Sequence, residues 1–223
     1  MAPNRYFLLL AHLLITVAAA GQSKLNLRLK KKLDNIEIPN PLHRSMLKSQ
    51  ELDADSEFDP LLLQRMSQTD SANIKRIAKI IRQVGYPGKT MVGTSTNEVA
   101  LDVIEHSNRI PQYLPLIKEM ASRGEVPFYR YALMLDRQLM HEGKEQFYGT
   151  QIRSFWITDP KTGMYEVVSF VWPIQDAAHV NARREKAGFN STVEAYAERR
   201  SIDYKPMTLA EAQKIEAASK AQP

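Results

Sequence analysis

The chain has 223 residues, with 30 Lys and Arg against 25 Asp and Glu, a formal net charge of +5, and no Cys. The lack of Cys excludes a disulfide framework and a thiol nucleophile. The charge is only mildly basic, well short of a nucleic-acid-binding signature, so we expect no nucleic-acid partner.

The first 20 residues have the pattern of a secretory signal peptide. Arg5 supplies the positive start, Tyr6 to Val17 form an apolar run, and Ala18 to Ala20 form a small-residue cleavage site. The apolar run is shorter than the ~20 residues that cross a bilayer, which favours cleavage over a membrane anchor. The sequence therefore predicts a bacterial protein exported to the periplasm or secreted after cleavage near Ala20, without a transmembrane segment.

Residues 21–56 are predicted to hold N-terminal helices and an acidic linker. Leu25, Leu29, Leu33 and Ile36 recur at helical spacing, and a second short helix covers 42–52. The basic run 24–32 and the acidic run 51–59 are interpreted as solvated segments of opposite sign that lie near each other. Contact of the basic run with anionic lipids is the less favoured alternative.

Residues 57–223 are predicted to form a single helical domain. Helical periodicity and capping residues predict helices over residues 60–84, 96–108, 113–123 and 128–142, with a Gly-rich loop at 85–93. Ser95 and Glu98 are interpreted as a capping box for the second of these helices. Further helices are predicted over residues 176–187, 193–200 and 208–218.

The only clear strand signal lies between these helices. Residues 151–158 and 164–171 are rich in β-branched and aromatic residues, and the sequence DPKTG between them has Pro and Gly where a hairpin turn needs them. The predicted fold class is therefore mainly α (α+β), a helical domain with a single β-hairpin near residues 151–171.

Asp136 and Arg137 place two charges inside an otherwise apolar helix. Residues at three and four positions from Asp136 are all apolar: Ala132, Leu133, Leu139 and Met140. A carboxylate in such surroundings needs partners, so the sequence predicts a polar network in the core. Two interpretations stay open, a functional site or a buried ion pair that organises helix packing.

The polar turn after this helix carries three neutral hydrogen-bonding side chains, Gln146, Tyr148 and Gln151. They suit either contact with a ligand or satisfaction of buried backbone groups. Asp102 and His106 stand four residues apart on an earlier helix, a spacing that suits a carboxylate-oriented general base or a plain surface pair. The histidines show no HExxH spacing and the serines no GxSxG motif, so neither a metal nor a cofactor is predicted.

Several segments together resemble a bacterial family catalogued only as a domain of unknown function. They are VGYPGKTMVG, ALDVIEHS, YLPLIKEM, ALMLDRQLMHEGKEQFYGTQI and PIQDAAHVNARREKAGF, in the family's order, over about 61–204. The resemblance marks a set of positions: His106, Asp136, Arg137, Gly143, Gln146, Tyr148, Gly149, Gln151, Arg183, Arg184 and Gly188. Glu105 departs from the Gln that the family usually has. The resemblance implies no activity.

Two hypotheses about function follow. In the first, a polar cluster binds or processes a small or envelope-derived ligand, with His106 as acid or base, Arg137 as the anion-binding group, and Asp136 as its orienting partner. Tyr148 and Gln151, with Gln146 nearby, would then contact the ligand. In the second, the protein is a non-catalytic periplasmic module that binds an envelope partner, and the network only fixes the fold. The convergence of these side chains on one hollow would favour the first hypothesis.

Overall fold

Apolar residues at helical spacing form the helices in the N-terminal part of the protein. A computed structural model of the chain describes residues 25–39, 60–158 and 162–220. The predicted signal peptide, the predicted helix over 42–52 and the acidic linker lie outside the described residues. The first helices are α1 (Leu27–Asp34), α2 (Pro60–Val84), α3 (Lys89–Val92), α4 (Thr94–Glu105), α5 (Ile110–Ser122) and α6 (Phe128–His141).

These six helices share one hydrophobic core. Its fully buried members come from all six helices: Leu33, Ile77, Val92, Ala100, Leu101, Ile104, Ile117 and Met134. Removal of such side chains from water is the main stabilising contribution, about 1.5–3 kcal/mol for each except Ala100. Because α1 contributes Leu29 and Leu33, it belongs to the same core as the helices that follow residue 60.

Several helix boundaries differ from the predicted ones: α3 lies inside the predicted loop 85–93, α5 begins at Ile110 rather than at residue 113, and both ends of α4 are shifted. Helix α4 begins at Thr94 after Gly93, whose φ of 90° suits glycine, so Ser95 lies inside the helix rather than capping it. The helix ends at Glu105, and His106 occupies the C-cap position. This earlier end matters for the site because it places the His106 side chain at a helix terminus, next to a loop.

The predicted hairpin is confirmed. Strand β1 (Ile152–Thr158) pairs antiparallel with β2 (Tyr165–Val171), with Phe155 opposite Val168. The buried aromatic rings on one face, Phe155, Phe170 and Trp172, pack with Ala212 of the last helix. The structure thus confirms a mainly helical fold with a single hairpin for the described residues.

The chain after the hairpin forms α7 (Val180–Lys186), α8 (Val193–Glu198) and α9 (Leu209–Lys220), with a short 3-10 turn at Ala177–His179. Thr208 and Glu211 form a capping box at the start of α9, where the Thr208 N–H donates to the Glu211 carboxylate at 2.8 Å. Thr192 caps α8, because its side chain accepts the Ala195 N–H. Among the described residues, no helix is both long and apolar enough to cross a membrane.

Candidate functional site

The turn Gln146–Gln151 connects α6 to β1, and a buried carboxylate holds its backbone. Asp136 on α6 has no exposed surface. Its Oδ1 accepts the N–H groups of Phe147 at 2.8 Å and Tyr148 at 3.0 Å, while Oδ2 accepts the N–H of Thr150 at 3.0 Å and its hydroxyl at 2.9 Å. Burial raises the pKa of this carboxyl, and the hydrogen bonds from the turn counteract that effect in part.

Two arginines of α7 hold the carbonyl side of the same turn. Arg184 is only 2% exposed, and its Nη1 donates to the Tyr148 carbonyl at 2.8 Å while its Nε donates to Ser191 O at 2.8 Å. Arg183 donates from Nε to the Phe147 carbonyl at 3.0 Å, and its guanidinium lies 4.6 Å from the centre of the Phe147 ring. The turn therefore has a carboxylate on its amide side and two guanidinium groups on its carbonyl side.

Gln146 closes the turn from inside. Its side-chain oxygen accepts the Gln151 N–H at 2.8 Å, and its Nε2 donates to the carbonyls of Gln151 at 3.0 Å and Trp172 at 2.6 Å. Two features favour glycine at position 149. Its φ of 68° lies in the left-handed region, and a Cβ there would lie only 2.7 Å from Ile174 Cδ1. We call the four side chains Asp136, Gln146, Arg183 and Arg184 the turn lock.

A cavity of about 520 Å³ lies in front of this turn, between the ends of several elements. The end of α4, the start of α5, the end of α6 and the start of β1 each contribute to its wall. The lining residues are Glu105, His106, Ser107, Ile110, Arg137, Met140, His141, Gln151, Ile152, Arg153 and Ser154. Its volume falls within the range of small-molecule sites, about 300–1,000 Å³.

Arg137 crosses from α6 to the end of α4. Its Nη1 donates to the Glu105 carbonyl at 3.0 Å, its Nη2 lies 3.1 Å from the Glu105 carboxylate, and its Nε lies 3.5 Å from Gln151 Oε1. The other Glu105 oxygen lies 3.4 Å from Arg130, which also pairs closely with Asp102. Glu105 thus holds the Arg137 guanidinium against the cavity wall.

The cavity also receives two imidazoles. His106 follows the last residue of α4, and His141 is the last residue of α6. Burial, then the positive charges of Arg137 and Arg153, lower the pKa of His141, which favours its neutral form. A neutral imidazole offers one donor and one acceptor nitrogen to a ligand.

The six residues predicted from the sequence divide into two groups. His106, Arg137 and Gln151 line the cavity, as the ligand-site hypothesis expects. Asp136, Gln146 and Tyr148 lie behind its wall, with exposures of 0%, 0% and 8%. The carboxylate of Asp136 binds the turn amides and the guanidinium of Arg137 binds Glu105, so the two neighbouring side chains have separate partners. The catalytic and ligand-binding roles themselves remain predictions.

Asp102, which the sequence paired with His106, directs its carboxylate to Arg130. Sequence reasoning did not assign His141, Arg153 and Glu105 to the site. His141 follows Arg137 by four residues on one helix, a spacing that could have indicated a shared face. Within the described residues, no group of three or more His, Cys, Asp or Glu side chains is placed to hold a metal ion.

Fold and site together define a mainly helical domain with a polar cavity at the base of its hairpin. Residues 45–203 match the model of a family of unknown function, DUF6624, and the match spans more than half of the 223 residues. The chain therefore belongs to that family, which confirms the resemblance read from its motifs. No curated protein and no solved structure matches the chain.

Proposed function

We propose that the cavity binds a small anionic ligand carrying a phosphate or carboxylate group, in a bacterial protein exported from the cytoplasm. The observation that carries this proposal is the convergence of Arg137, Arg153, His106 and His141 on one cavity. The lining contains two arginines and one glutamate, a formal charge of +1 with both imidazoles neutral. Glu216 of α9 lies 3.8 Å from Arg153, so a bound anion would share this guanidinium with Glu216. Guanidinium groups bind carboxylates and phosphates through paired hydrogen bonds.

Arg137 is held in a position suited to this role. A guanidinium has five N–H donors, and the contacts with Glu105 and Gln151 use three of them within the described part of the chain. Two donors remain for a ligand in the cavity. The buried turn lock fixes Gln151, so this wall of the site is formed before a ligand arrives, which reduces the entropic cost of binding.

Titration of the protein with inorganic phosphate and with succinate, followed by the imidazole C–H signals in NMR spectra, tests the proposal. We expect saturable shifts of the His106 and His141 signals, assigned through His→Gln variants, with a dissociation constant of about 1 mM or lower, equivalent to about 4 kcal/mol. Arg137→Gln should weaken binding at least tenfold, since a charge-assisted hydrogen bond contributes about 1.5–3 kcal/mol.

Arg123→Gln is the matched control, because Arg123 pairs with Glu119 on the exposed surface of α5, away from the cavity lining. This variant should bind like the wild type. Shifts that never saturate, or that persist unchanged in Arg137→Gln, would contradict the proposal and favour the non-catalytic module, in which the polar network serves the fold alone.

Export is the second part of the proposal and is supported by the signal-peptide pattern of the first 20 residues. The expected result is a protein recovered from the periplasm or medium of the native host with Gly21 at its N-terminus. Recovery from the cytoplasm with an intact N-terminal segment would contradict this part and leave the binding site unaffected.

A further inference from the structure

The positive charge of the protein is concentrated on two neighbouring helices. Residues 25–39 and 60–84, which contain α1 and α2, carry nine Lys or Arg and three Asp or Glu, a net charge of +6. Residues 85–223 carry 17 of each sign and are neutral overall. A patch of one sign next to a neutral remainder indicates a surface for an oppositely charged partner.

The two helices lie side by side. The Asn73 side chain on α2 donates to the Glu37 carbonyl, which follows α1, at 2.7 Å. At the other end, Arg28 and Lys32 of α1 share a hollow of about 250 Å³ with Ile80 and Val84 of α2. The start of α1 therefore lies beside the end of α2.

Eight basic side chains on these helices are exposed, and one of them, Arg65, lies in the first half of α2. We call the other seven the basic surface: Arg28, Lys31, Lys32, Lys75, Arg76, Lys79 and Arg82. Lys30 is not counted among them because it pairs with Asp34 at 2.7 Å. Basic side chains next to an anionic membrane contribute about 1 kcal/mol each.

Exposed apolar side chains lie where the start of α1 meets the end of α2. Leu27 is 67% exposed, Leu25 is 41% exposed and Val84 is 45% exposed. Aliphatic side chains next to exposed Lys and Arg are the combination found in segments that lie on a membrane surface, where the apolar groups enter the headgroup layer. A nucleic acid offers phosphates but no apolar layer, so these three residues favour a lipid surface over a nucleic-acid partner.

We propose that the basic surface docks the protein onto a membrane rich in anionic phospholipid, with Leu25, Leu27 and Val84 entering the headgroup region. The docking is peripheral and electrostatic, so it weakens as the salt concentration rises. It is independent of the cavity, which lies at the ends of α4 and α6.

Co-sedimentation of the full chain with vesicles tests this proposal. Vesicles of phosphatidylcholine with about one third phosphatidylglycerol are compared with vesicles of phosphatidylcholine alone, because the excess binding to the anionic vesicles reports the basic surface. An apolar N-terminal segment alone would bind both kinds. The test variant carries Arg28→Gln, Lys32→Gln, Arg76→Gln and Lys79→Gln, and it should lose the excess binding by at least about 100-fold, since each charge contributes a factor of about five.

The control variant also removes four exposed positive charges, through Lys118→Gln, Lys186→Gln, Lys205→Gln and Lys214→Gln. It should keep the excess binding, and an equal loss in both variants would overturn the proposal, because net charge would then be responsible. Leu27→Ser should reduce vesicle binding severalfold. If Leu27→Ser has no effect and single-stranded RNA binds more tightly than the vesicles, the partner is a polyanion and the proposal is wrong.

The acidic segment 51–59 of the same chain is the alternative occupant of the basic surface. A variant with Glu51→Gln, Asp53→Asn, Asp55→Asn, Glu57→Gln and Asp59→Asn distinguishes it from a membrane. Excess binding in the wild type supports the proposal. Excess binding that occurs only in this variant would overturn it, because the basic surface would then be covered by the protein's own acidic segment.

Discussion

Asp136→Asn tests whether the buried carboxylate holds the turn in front of β1. The carboxylate accepts hydrogen bonds from four donors, three backbone N–H groups and one hydroxyl, and the Tyr148 N–H reaches both of its oxygens. An asparagine keeps one oxygen, and its NH2 group would face the Thr150 N–H, which would leave a buried donor without an acceptor at a cost of about 1–3 kcal/mol.

Two other effects contribute to the change in unfolding free energy of Asp136→Asn. The bonds kept by the remaining oxygen lose their charge assistance, about half of their strength. The neutral asparagine avoids the desolvation cost of the buried carboxylate, the same effect that raises the pKa of Asp136, and this offsets part of the loss. We therefore expect a net loss of about 3 kcal/mol in the free energy of unfolding, equivalent to a fall in Tm of about 6–12 °C for a protein of this size.

Urea unfolding followed by far-ultraviolet circular dichroism measures this loss. Asp203→Asn is the matched control, because Asp203 and its partner Lys205 are both highly exposed and their pair should contribute little to stability. An Asp136→Asn protein as stable as Asp203→Asn would refute the structural role. If such a stable variant also lost phosphate binding, the predicted participation of Asp136 in the site itself would gain support.

Three further predictions concern the turn and the cavity. Gly149→Ala should cost about 2–3 kcal/mol more in unfolding free energy than Gly143→Ala. Both glycines have a φ of 68°, but only Gly149 has neighbours that a Cβ would overlap. Equal losses in urea unfolding would contradict this. Arg184→Met should lose about 3 kcal/mol in the same assay because it leaves buried carbonyls without donors, whereas the exposed Arg199→Met should lose less than about 1 kcal/mol. The lowered pKa of His141 means that the unfolded chain binds its proton more readily, so stability should decline as the pH falls below about 6.5; His141→Gln should reduce this decline, and an unchanged pH profile would show that other groups cause it.

Local patterns were sufficient to predict most of the elements. The interval 60–84 shows apolar residues at helical spacing and forms α2 with those bounds, and the aromatic and β-branched run 151–171 forms the hairpin. The capping position of α4 was misjudged because Gly93 can adopt a positive φ and take over the role that Ser95 was expected to play. A capping-box pattern in the sequence does not show whether Ser95 or the nearby Gly93 is the N-cap residue of the helix.

In the candidate site, the sequence predicted the burial of Asp136 but not its hydrogen-bonding partners. Four apolar neighbours on the helix correctly indicated that Asp136 is buried, since this follows from periodicity alone. Its partners are backbone amides 11 to 14 residues further along the chain, and no side-chain pattern encodes a backbone donor. The ring of Tyr148 packs with Ala132 and Ala187. The sequence had left open whether Tyr148 contacts a ligand or serves the buried part of the turn, and its ligand contact stays a prediction.

These contacts give the adjacency of Asp136 and Arg137 in this chain a physical explanation. Asp136 and Arg137 are adjacent on α6, so their side chains point about 100° apart. One therefore reaches the turn amides while the other reaches the cavity wall, and the turn brings Gln151 back to within 3.5 Å of Arg137. A change in the turn lock should therefore alter both stability and ligand binding, because it moves Gln151. Conservative changes at Arg153 and His106, which face the cavity from other elements, should alter binding with little loss of stability. Variants that reversed this pattern would show that the buried network and the cavity wall are not coupled in the way the contacts indicate.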